Sequence, residues 1–63
     1  MTTVDEVLKD AIQRNDAPKV GEVVDFLRER GSNYPSIYQR AKALTGISLA
    51  AWDTILEDSE IST

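Results

Sequence analysis

Small aliphatic residues recur through the first half of this chain at a single helical spacing and stop only at a few punctuated positions. Val4, Val7, Leu8, Ala11 and Ile12 follow the i, i+3, i+4, i+7, i+8 pattern of one helix face. Asn15-Asp16 interrupts them, and Val20, Val23, Val24 and Leu27 then repeat the stripe until Gly31. No strand-like alternation competes with these stripes, so the chain is constrained to pack helix against helix.

Punctuation divides the chain into four segments. T-V-D-E from Thr3 is a capping box, in which the Thr3 hydroxyl accepts from the Glu6 N–H. Asp16 caps the second segment, with Pro18 in its first turn, where a missing N–H does no harm. Gly21 inside that helix costs about 1 kcal/mol relative to alanine, which predicts close approach by a neighbouring helix. Phe26 falls roughly 110° from the centre of the Val20 to Leu27 stripe, either a second buried edge or an exposed contact. The third segment opens at Asn33-Tyr34-Pro35, carries Ile37, Ala41 and Leu44 as a narrow seam, and ends at Gly46. The fourth begins at Ser48 as N-cap, with Ile47 and Trp52 as a hydrophobic staple and Leu49, Trp52, Ile55 and Leu56 as its buried face.

The expected fold is all-α: a compact bundle of four short helices at about 4–14, 17–30, 35–45 and 49–58. A single small domain spans residues 1–63, with 59–63 as a frayed, flexible tail. A chain of 63 residues buries only about 60% of the surface its unfolded form exposes. The absence of cysteine and histidine removes disulfides and every ordinary zinc site. Regular helix packing, or a homodimer that buries a further face, is the remaining route to stability.

Charge narrows the function. The net charge of −4 and pI near 4.5 oppose indiscriminate attraction to phosphate or anionic lipid. Acids crowd the stretch from Asp5 to Glu29 and return at Asp53, Glu57, Asp58 and Glu60. Between Arg30 and Trp52 there is no acid at all, while Arg30, Arg40 and Lys42 are present. The N-terminus MTTVDEVLKD has neither the basic start nor the apolar run of a signal peptide, and no segment is long and apolar enough to span a bilayer. The sequence therefore predicts a soluble, cytoplasmic protein with no membrane partner.

Residues for catalysis are scarce. A serine or threonine nucleophile needs a base, and with no histidine that base would have to be Lys9, Lys19 or Lys42, all on polar helix faces. Glu6 and Asp10 are i, i+4 neighbours on one exposed face, not carboxylates opposed across a cleft. Glu57, Asp58 and Glu60 lack the glycine-bearing loop of a calcium site, and the three glycines make no phosphate loop. The expectation is a protein that is not an enzyme and uses no cofactor or metal.

Binding remains. Residues 23–44, V-V-D-F-L-R-E-R-G-S-N-Y-P-S-I-Y-Q-R-A-K-A-L, resemble the helix-turn-helix motif of small transcriptional regulators. Gly31 matches the turn glycine and Ile37 the β-branched residue six positions later; Arg30, Ser32 and Pro35 depart from the pattern. The resemblance implies a recognition helix at 35–45, with Ser36, Gln39, Arg40 and Ala43 toward bases and Arg30 and Lys42 toward phosphates. Two arginines and a lysine neutralise only about 3 phosphates, where stable sites use about 6 to 10. The favoured expectation is therefore a regulatory, adaptor or inhibitor type of protein-interaction module. Its partner-binding surface on helices 2 and 3 comprises Phe26, Arg30, Tyr34, Ser36, Tyr38, Gln39, Arg40 and Lys42, since aromatics and arginine anchor interfaces. DNA binding through the same residues ranks second.

Overall fold

A computed structural model of the chain describes residues 3–61, with Ile61 described by its backbone alone. The described residues form four helices and no strand: α1 (Val4–Gln13), α2 (Ala17–Glu29), α3 (Tyr34–Thr45) and α4 (Leu49–Ile61). Each N-terminus is closed by a side-chain oxygen, as the punctuation predicts. Thr3 Oγ1 accepts from the Glu6 N–H at 3.2 Å, Asp16 Oδ1 from Lys19 at 3.4 Å, Asn33 Oδ1 from Ser36 at 3.0 Å and Ser48 Oγ from Ala51 at 3.2 Å. Asn33 is the cap of α3, so that helix begins at Tyr34, one residue before the expected start at 35.

The first two helices end in matching Schellman turns. The Asp16 N–H reaches the Ala11 carbonyl and the Asn15 N–H reaches Ile12; the Ser32 N–H reaches Leu27 and the Gly31 N–H reaches Arg28. The residue at the centre of each turn has positive φ, 54° at Asn15 and 98° at Gly31. Asparagine and glycine are the residues that tolerate this conformation at least cost.

Helix α2 is the hub, packing against α1, α3 and α4, while α1 also packs against α3. Leu8, Val20, Ile37 and Trp52 are the largest fully buried side chains, and Val23, Val24, Leu27 and Ile55 complete the apolar centre. Val4, Val7, Ile12, Leu44 and Leu56 are partly buried around it. Ala11, Ala17 and Ala41 are buried too, and residues this small let neighbouring helix backbones approach closely.

Two expectations are corrected. Leu49, assigned to the core, is 55% exposed. The buried line of α4 runs through Trp52, Ile55 and Ser59, and the first residue of the helix falls on its flank. The tail expected from Ser59 is helical through Ile61, and Ser59 itself is buried. Its Oγ donates to the Leu56 carbonyl at 2.9 Å, which removes the cost of burying a hydroxyl. Residues 62 and 63 of that expected tail lie outside the described residues.

The close approach inferred at Gly21 is present. A Cβ added there would lie 2.9 Å from both Cβ and Oγ of Ser59. Glycine on α2 and serine on α4 are what allow these two helices to meet. No buried side-chain polar atom among the described residues lacks a hydrogen bond.

Candidate functional site

One flank of α4 carries a regular alternation. Leu49, Asp53, Leu56 and Glu60 are spaced i, i+4, i+7, i+11, so they share one edge of the helix beside its buried line. Because α3 and α4 are joined by residues 46–48 yet do not lie alongside each other, this edge is left uncovered. It borders two concavities. One, of about 440 Å³, lies between α2 and α4 and includes Gly21, Asp25, Ser59 and Glu60. The other, of about 460 Å³, lies between α3 and α4 and includes Pro35, Tyr38, Leu49 and Asp53. Tyr34 and Leu56 line both, so the two concavities adjoin and make a two-part trench along this edge.

The trench floor is held by packing and hydrogen bonds. Tyr38 stands with its ring centroid 6.4 Å from that of Trp52, tilted by 43°. Its hydroxyl donates to the Ile47 carbonyl at 3.3 Å, fixing the α3–α4 connection. Tyr34 is 46% exposed. The Arg28 guanidinium lies 4.6 Å from its ring centroid and donates to its hydroxyl at 3.0 Å, holding the ring at the junction of the two concavities.

The residues singled out from sequence fall on different sides of the bundle. Tyr34, Tyr38 and Gln39 line the trench. Phe26 lies on the opposite side of α2, in a groove against α1 with Val4, Val7 and Val23, and its ring is covered by the Arg30 guanidinium at 4.6 Å. Arg40 points toward α1, where it pairs with Asp5 at 2.8 Å. Ser36 and Lys42 are exposed on α3, with the Ser36 N–H taken by the Asn33 cap. The eight residues therefore do not form one patch.

What the sequence reading missed is the contribution of α4 and of the acidic edge of α2. Periodicity assigns Leu49 to the core, where the structure leaves it exposed, and it gives Asp53, Asp25 and Glu22 no role. The 49, 53, 56, 60 spacing was legible, but which side of α4 would stay uncovered depends on how the helices cross. Among the described residues, no group of three or more acidic side chains converges as a metal site requires, and no helix is long and apolar enough to cross a membrane.

Comparison with known proteins adds no relative: no family model, curated protein or solved structure matches this chain.

Proposed function

We propose that this protein is a non-enzymatic helical interaction module of regulatory, adaptor or inhibitor type, acting in the cytoplasm and docking a partner protein in the trench bordered by α2, α3 and α4. The observation that carries this reading is the exposure of Leu49 at 55% and Tyr34 at 46% on the same concavity between α3 and α4. Scattered exposed apolar residues need no explanation, but convergence of two on one groove is what a docking site requires. Tyrosine offers a large, stiff contact with a polar tip, and Arg28 already holds this one in place.

The helix-turn-helix alternative draws on a different observation, the outward placement of Ser36, Gln39 and Ala43 on α3. Its charge is weaker than its geometry. Arg40 is paired with Asp5 and Arg30 is stacked on Phe26, and the whole chain carries −4.

The test is to capture the partner from the native host, purify it, and titrate it into the isotope-labelled protein. Amide shifts should cluster at 34–39 and 49–60, and Leu49→Glu should weaken binding at least about tenfold while leaving the helical spectrum intact. Unchanged affinity of Leu49→Glu overturns the reading. Shifts of residues 34–45 with duplex DNA that vanish steeply with salt transfer the function to the alternative.

A further inference from the structure

The trench carries acids along α4 throughout and along α2 in the half that α2 borders, while its α3 wall is aromatic and uncharged. On α4, Asp53 and Glu60 alternate with Leu49 and Leu56; on α2, Glu22 and Asp25 stand beside Gly21. No lysine or arginine lines either concavity. Arg28, beside the trench, is engaged with Tyr34. Glu22 meets Lys19 at 3.4 Å, an exposed pair that a better-placed cation can replace. Neither Asp25 nor Asp53 has an ion pair among the described residues.

We infer that the occupant of this trench is a basic amphipathic helix of the partner protein, seating apolar residues on Leu49, Leu56 and Tyr34 and placing lysines or arginines against Asp53, Asp25 and Glu22. The inference rests on the trench being the docking surface and adds the chemistry of what docks there.

Three arguments select this occupant. The acidic edge from Leu49 to Glu60 spans about 16 Å at 1.5 Å per residue, which matches about three turns of a partner helix. The described residues contain no sheet edge that an extended peptide could join, so recognition must come from side chains in a groove between helices, the mode used for amphipathic helices. A second copy of this chain is the wrong partner, because each copy would bring a net charge of −4 and the same acidic flank against its like.

The experiment uses two designed helical peptides of equal length and identical leucine stripe, one with lysine and one with glutamate on the polar face. A scrambled lysine peptide, which keeps the charge but loses the stripe, is the control. Each is titrated into the full-length isotope-labelled protein. The lysine peptide should shift amides of 21–25, 34–38 and 49–60 and bind at least about tenfold tighter than the glutamate and scrambled peptides, with affinity falling as salt rises. Asp25→Lys/Asp53→Lys, both at exposed sites, should reverse the preference between the first two peptides. Equal binding of those two overturns the basic occupant while leaving the trench as the docking surface. Equal binding of the lysine peptide and its scramble reduces the effect to net charge and overturns the helical occupant. Failure of every peptide to shift trench residues overturns the inference, and Leu49→Glu tested on the captured partner then decides the docking surface separately.

Discussion

Gly21 of α2 and Ser59 of α4 touch so closely that a Cβ on the glycine would stand 2.9 Å from two side-chain atoms of the serine. That contact sets how α4 crosses the hub helix, and so which edge of α4 faces the trench. Alanine has about 1 kcal/mol better helix propensity than glycine, yet Gly21→Ala should destabilise the protein by about 1 to 3 kcal/mol through overpacking. In a Ser59→Gly background the same change should become neutral or stabilising. Urea unfolding followed by circular dichroism of the four proteins checks the coupling; additive effects would mean that the contact is not what limits Gly21.

Leu49 and Ile55 lie on the same helix and look alike in sequence, but Leu49 is 55% exposed and Ile55 6%. Leu49→Ala should change stability by no more than about 0.5 kcal/mol. Ile55→Ala should cost about 2 to 5 kcal/mol by leaving a cavity. Against a total of about 0.05 to 0.15 kcal/mol per residue, the second loss would leave much of the population unfolded at room temperature. The readout is the urea midpoint, and a comparable loss at Leu49 would place it in the core after all.

Tyr38 joins α3 to the chain entering α4 through its hydroxyl on the Ile47 carbonyl and its ring against Trp52. Tyr38→Phe keeps the ring and should cost about 0.5 to 1.5 kcal/mol. Trp52 is the sole tryptophan and is buried, so its emission should be blue-shifted in the native protein and move to longer wavelength on unfolding. That single fluorophore reports the midpoint directly. For the same reason Tyr38→Ala is a poor test of partner binding, since it removes packing beneath the trench.

Arg40 and Asp5 form an ion pair that joins distant parts of the chain, with side chains 43% and 50% exposed. A double-mutant cycle of Arg40→Ala and Asp5→Ala should give a coupling of no more than about 1 kcal/mol, fading at high salt. Were Arg40 a DNA contact, Asp5→Ala should strengthen binding to duplex DNA by releasing it. An unchanged response to DNA in that variant counts against the recognition-helix assignment.

The helices and most of their ends were legible in the sequence because their causes are local. Thr3, Asp16, Asn33 and Ser48 cap through backbone N–H groups three residues away, and Asn15 and Gly31 turn the chain through their own φ. Even the tight approach at Gly21 announced itself, since a glycine inside an apolar stripe has few other reasons to be there. The tertiary structure decided what periodicity cannot encode, namely which flank of each helix is covered. A helical stripe specifies a direction on its own cylinder, whereas exposure depends on the angle at which a second cylinder crosses it. So Leu49, apolar and in phase with its helix, is left in solvent, while Ser59, polar and near the chain end, is buried against Gly21. The packing of α1 against α2 and α3 likewise separates Phe26 from Tyr34 and binds Arg40 to α1, dividing residues close in sequence among different surfaces.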